Sequence, residues 1–144
     1  MANTDTPFGL RPVRLLGGSP YNGATLVFST ASGDGTAIYL GDPVKLSGTS
    51  STVNGVIYTD VDQAATGDVM VGVVTAVLPD SRDSTNYRAA STTRLVEVAC
   101  DPMLVFEVQE VSGGTPLAAA DIGLNANIVV GSGSTTTGLS GVEL

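Results

Sequence analysis

The run Gly67-Asp68-Val69-Met70-Val71-Gly72-Val73-Val74-Thr75-Ala76-Val77-Leu78 constrains this chain more than any other stretch. In an extended backbone, successive side chains point to opposite faces. Val69, Val71, Val73 and Val77 then share one face, and Met70, Val74, Ala76 and Leu78 share the other. Both faces are apolar, so a strand over residues 69–78 has to be covered on both sides, by other strands or by a neighbouring chain. Gly67-Asp68 and Pro79-Asp80 fence it with turn residues. It is expected to be the central strand of a small all-β domain, a scaffold without reactive groups.

Shorter apolar runs recur at intervals of about ten residues, separated by turn residues, and predict a small sandwich or barrel of short strands. Strands are expected at 24–30, 36–40, 44–46, 56–59, 93–100, 104–111 and 127–130. Asn22-Gly23 and Asn54-Gly55 are turn signals, and residues 47–52 are expected to form a polar loop. Pro43, at the start of a strand, is tolerated at an edge. One short helical turn is predicted after Thr115, with Pro116 in its first position and Gly123 ending it.

Three regions follow. Residues 1–20 form an extended N-terminal arm, 21–130 the β domain, and 131–144 a Gly/Ser/Thr-rich C-terminal segment expected to be loosely held. Pro7 and Pro12 exclude a helix from the arm, while Phe8, Leu10, Val13, Leu15 and Leu16 need burial. The arm either folds back on its own domain or lies in a groove of another subunit. A hinge at Gly17-Gly18 favours the second, with deletion of residues 1–20 leaving a folded domain.

The charge balance is 14 acids against six bases, net −8, which sets nucleic acid and anionic membrane aside as partners. Arg11 and Arg14 make the arm slightly positive against an acidic remainder, which suits either docking on an acidic surface or simply keeping the arm soluble. The start of the chain lacks the charged and apolar regions of a signal peptide, and no apolar run approaches the roughly 20 residues of a membrane span.

The chain has no histidine, which removes the usual general base, every Ser-His or Cys-His pair and the commonest zinc ligand. A single Cys100, inside an apolar strand, is expected to be a buried, inert thiol. Glu97, Asp101, Glu107 and Glu110 are the acids available for glycosidase-type chemistry, but sugar platforms are scarce, with no Trp and seven aromatics. They are taken as solvated strand faces. Asp60, Asp62 and Asp68 have oxygen-ligand spacing for calcium, but the glycine and third close acid of the twelve-residue calcium loop are missing, so an acidic turn is expected. No cofactor and no metal are called for, and the chain is not expected to be an enzyme.

Several segments together resemble the capsid cement, or head decoration, proteins of tailed bacteriophages. They are Thr6-Pro7-Phe8-Gly9-Leu10-Arg11-Pro12-Val13, Ser19-Pro20-Tyr21-Asn22-Gly23-Ala24, Gly41-Asp42-Pro43-Val44-Lys45-Leu46, Gly72-Val73-Val74, Tyr87-Arg88-Ala89-Ala90-Ser91-Thr92 and Thr135-Thr136-Thr137-Gly138-Leu139-Ser140-Gly141. The resemblance implies a β-rich virion protein, dimeric or trimeric, that binds the outside of an icosahedral head. It implies clamping of neighbouring major capsid subunits, in a family whose chains run on past the position of Leu144. Phe8, Leu10, Arg11, Val13, Arg14 and Leu15 are the residues expected to meet the capsid or another subunit. The alternative is a virion surface or fibre module binding a host glycan, with calcium at Asp60, Asp62 and Asp68.

Overall fold

In the computed structural model, residues 5–144 are described, and they form an all-β fold of seven strands with one short 3-10 turn. In chain order these are β1 (Arg11–Leu15), β2 (Leu26–Ser29), β3 (Pro43–Val53), β4 (Val56–Gln63), β5 (Gly72–Val77), β6 (Leu95–Ala99) and β7 (Leu104–Glu107). Five strands close into a barrel in the order β2-β4-β3-β5-β6, and β6 returns to β2. Its one parallel seam is the Ser29–Asp60 contact between β2 and β4; the other seams are antiparallel. β1 and β7 make a separate antiparallel ribbon.

Valine fills the interior because its branched side chain packs well on a pleated surface. Ile38, Val44, Val61, Val74, Val96 and Val98 are buried in one cluster, flanked by Phe28, Leu40, Val71, Val77 and Cys100. Each fully buried side chain of this size contributes roughly 1.5–3 kcal/mol of transfer free energy.

The predicted central strand is shorter than its apolar run. Only 72–77 are in the ladder, and Val69 is 89% exposed because residues 64–70 are a turn pinned by Asp68. Both faces of the remaining strand are nonetheless covered, since adjacent Val73 and Val74 are both buried.

The expected polar loop at 47–52 is instead the middle of the eleven-residue β3. Asn54 and Gly55, both with positive φ, close a two-residue hairpin that fixes β3 against β4 from Val53↔Val56 back to Val44↔Gln63. A register shift between Leu46 and Ser50 accommodates the twist. Residues 36–40 and 127–130 are not strands. They make isolated bridges, Ile38 with Arg88, Leu40 with Leu139 and Val129 with Glu143. The helical turn lies at Ala119–Asp121 and follows Ala118, not Thr115; the Asp121 carboxylate accepts from the Ala118 amide.

The C-terminal segment is part of the core. Ser140, Gly141 and Val142 are buried, and Leu40 and Ser140 are joined through their backbones. Two junctions leave no room for a side chain: a Cβ at Gly141 would strike Ser132, and one at Gly133 the ring of Tyr39. The glycines that suggest looseness in the sequence are there to let strands of backbone pass close by.

The described part of the arm, residues 5–20, also folds back on its own chain. Leu10 is buried, its amide bonds the Gly41 carbonyl at 2.9 Å, and β1 pairs with β7. Gly17-Gly18 is a tight turn rather than a hinge, since the Gly18 amide bonds the Leu15 carbonyl and Tyr21 returns to Val13. Deleting residues 1–20 therefore removes a core side chain and half of a ribbon, and should destabilise what is left rather than leave it unaffected.

Candidate partner-binding surface

The six arm residues expected to meet a partner divide by burial. Leu10 is in the core and Leu15 is half-buried. Phe8, half-buried, lies beneath the Arg11 guanidinium, whose carbon is 4.9 Å from the ring centroid. Arg11 also pairs with Glu107 on β7, so its charge is already answered within the chain. Val13 and Arg14 face solvent.

Consecutive residues on a strand point opposite ways, yet these two are both exposed. The cause is a bulge: Pro12 opposes Phe106 and Arg14 opposes Val105, leaving Val13 without a partner on β7. Beyond them the ribbon ends in Leu16, 66% exposed, whose amide bonds the carbonyl of Met103, itself 50% exposed. Val13, Leu16 and Met103 thus place apolar surface along the end of the ribbon. A groove of about 390 Å³ runs under the arm, lined by Phe8, Leu10, Tyr21, Leu40 and Val74 among others.

A second surface was not foreseen. Every residue from 112 to 127 is exposed, including Leu117, Ile122 and Leu124 at 56%, 84% and 69%. The segment carries one charge, Asp121, on a chain of net charge −8. It is tied down at its base, where Glu110 accepts from the Leu117 amide and Val111 bonds Leu144. A cleft of about 300 Å³ opens beside Leu117, Ile122, Leu124 and Leu144. The signal in the sequence was apolar residues in a nearly uncharged stretch without strand alternation.

The acids considered for chemistry are engaged elsewhere. Glu107 holds Arg11, Glu97 accepts from the Thr25 hydroxyl, Asp101 from the Met103 amide and Glu110 from Leu117. Asp60 is buried and accepts from the hydroxyls of Ser29, Thr49 and Ser51. Asp68 pairs with Lys45 at 2.7 Å, and this, with the Ala65 amide, holds its carboxyl below the usual range. Burial, and then Asp34, pushes Asp62 up. Asp60, Asp62 and Asp68 therefore do not share one ligand set, and no group of three metal-ligating side chains converges among the described residues. Cys100 is half-buried and burial pushes its thiol up, away from the reactive thiolate.

The buried charges serve the fold. Arg88, with no exposed surface, pairs with Asp34 at 3.0 Å and donates to the Thr92 carbonyl at 2.7 Å and to the carbonyls of Ala31 and Thr36. Asp42 accepts from the Tyr39 amide at 2.9 Å and the Gln63 side chain at 3.0 Å, while its Oδ1 makes no hydrogen bond. Burial pushes its carboxyl up, and Ser140 offsets this only in part.

No family model, curated protein or solved structure matches the chain. The two apolar surfaces, one at the ribbon end and one on residues 112–127, are the features that a function must account for.

Proposed function

We propose that the chain is a structural protein of a tailed-phage virion, which binds the outside of the icosahedral head and bridges neighbouring major capsid subunits. It works without a cofactor and without catalysis, and further copies of itself are partners in the assembly. One observation carries this reading: sixteen consecutive exposed residues, 112–127, present Leu117, Ile122 and Leu124 with a single charge among them. Contiguous exposed apolar surface on a small domain marks a place where another protein docks. The head as that partner rests on the sequence resemblance described above.

The ribbon end supports the same reading. Val13, Leu16 and Met103 offer a second contact beside the positive Arg14. Two small contacts on one rigid body strengthen one another when both engage, which suits attachment to a repeating shell. The glycan-binding alternative loses its calcium, because Asp60 and Asp68 are committed to internal partners.

The test is co-sedimentation of purified chain with expanded heads stripped of their outer proteins, followed by cryo-EM. Saturable binding in hundreds of copies over the shell supports the reading. Absence of binding, or a few copies confined to the tail, overturns it.

A further inference from the structure

The β3–β4 hairpin has one side that the barrel does not use. β4 follows β3 as far as Val53↔Val56, but β5 meets β3 only at Pro43↔Val73 and Val44↔Gly72. Beyond Val44 no strand lies along that edge among the described residues. The hairpin stands in solvent there, with residues 48–50, 52 and 54–57 exposed. Bonding alternates along an antiparallel ladder. The Val53–Val56 pair closes a two-residue turn and bonds across it, so Ser51 bonds to β4, while Ser50 and Thr52 turn their amides and carbonyls to the open side.

Open edges are ordinarily guarded by charge or proline. The ribbon obeys this rule, with Arg11, Pro12 and Arg14 on β1 and Glu107 on β7. On β3, Pro43 and Lys45 come before the open stretch, and Lys45 is paired with Asp68. Residues 46–59 carry no charge and no proline. The remaining guard is the bulge between Leu46 and Ser50, where Gly48 has positive φ, and it leaves residues 50–53 in unbroken register.

We propose that this edge pairs with its own counterpart on a second copy of the chain, residues 50–52 running antiparallel to residues 50–52 and joining two hairpins into one four-stranded sheet. The occupant follows from charge. Two chains of net charge −8 repel, so a shared contact has to lie where neither brings charge. An acidic or basic partner would find no opposite charge along residues 46–59. An edge is also its own complement about a two-fold axis, since each free donor of one copy meets a free acceptor of the other.

The register is fixed as well. Paired residues share a face of the sheet, so the axis passes through a residue and not between two. With the axis at Ser51, Ser50 of each copy faces Thr52 of the other, and each facing pair exchanges both of its backbone bonds. An axis at Thr52 would draw in Asn54, which has left the ladder with φ +51°. The pairing draws on neither Leu16 and Met103 nor residues 112–127, and its test involves no capsid, so it stands or falls separately from the proposed virion role.

The test is sedimentation velocity of the purified chain between about 10 μM and about 1 mM, the range for an interface below the standard size. A reversible equilibrium between monomer and dimer is expected. Ser50→Lys with Thr52→Lys sets like charges opposite each other in both facing pairs. It is expected to weaken dimerisation by about tenfold, although it lowers the net negative charge of the chain. Ser50→Lys with Thr52→Glu sets opposite charges there and is expected to keep the dimer. Both side chains are exposed, so the melting temperatures should stay close to wild type. A monomer at every concentration, wild-type dimerisation in the first variant, or the same loss in both variants overturns the pairing. Amide exchange at Ser50 and Thr52 should slow as the wild-type concentration rises. An unchanged rate also overturns the pairing, which keeps the test decisive should a variant fail to fold.

Discussion

Gly9 of the arm and Gly41 just ahead of β3 pass each other with backbone against backbone. A Cβ at Gly9 would lie 2.5 Å from the Gly41 carbonyl oxygen, and one at Gly41 would strike the Phe8 carbonyl. Both residues have φ in the left-handed region, +73° and +91°. Gly9→Ala or Gly41→Ala therefore combines backbone strain with a clash that neither rigid partner can relieve. Each is expected to cost about 2–4 kcal/mol, read from urea unfolding. An unchanged midpoint would mean that the arm does not dock there.

Arg88 ties Asp34, Ala31, Thr36 and Thr92 into one network without exposing any of its surface. Removing it takes the buried cation from Asp34 and leaves the Thr36 carbonyl without its donor, while the Ala31 and Thr92 carbonyls keep only the Asp34 amide and the Thr30 hydroxyl. Arg88→Ala should destabilise by about 3–5 kcal/mol. Arg88→Lys should recover only a minor part, because an ammonium cannot reproduce the planar fork. Equilibrium denaturation of the two variants measures both.

Asp42 predicts a pH dependence. Its carboxyl is pushed up by burial, so the folded chain holds the proton more tightly than the unfolded chain. The contribution of this group to stability is therefore greatest below the ordinary aspartate range and declines as pH rises through the raised value. Asp42→Asn keeps an acceptor for Tyr39 and Gln63 and removes the charge, so this decline in melting temperature should vanish from its profile. Asp42→Ala strands both donors and should cost about 1–3 kcal/mol for each.

At the ribbon end, Leu16→Ser with Met103→Ser should leave the melting temperature within a few degrees of wild type, since both side chains are exposed. Head binding should fall by about tenfold or more if these residues form a contact centre. Co-sedimentation at several concentrations provides the comparison.

Calcium should have no effect on the melting temperature. Asp60 is saturated by three hydroxyls and Asp68 by Lys45. A rise on adding millimolar calcium, reversed by chelator, would bring back the glycan-binding alternative.

Features governed by local chemistry were legible in the sequence. The Asn54-Gly55 turn carries its cause within a few residues, and the strands expected at 24–30, 93–100 and 104–111 are present in shortened form at 26–29, 95–99 and 104–107. The length of β3 was not legible, because Ser47 to Thr52 offer no apolar alternation. Their strand comes from the register imposed by the hairpin and from hydroxyls bonding Asp60 across it. The strand expected at 36–40 failed for a related reason: Ile38 finds its backbone partner in Arg88, fifty residues on, and nothing local announces that. Of the arm, the apolar character was legible and its destination was not, since burial of Leu10 depends on the Gly9–Gly41 approach. The exposure of residues 112–127 was not legible, because exposure, unlike alternation, leaves no period in a sequence.

Val142, fully buried near the end of the described chain, gives assembly of this protein an order in time. A growing polypeptide emerging from the ribosome has to keep its barrel unfinished until Leu139 arrives to bridge Leu40 and Val142 to enter the core. A chain stalled or clipped ahead of these residues therefore leaves the buried valines of the core uncovered.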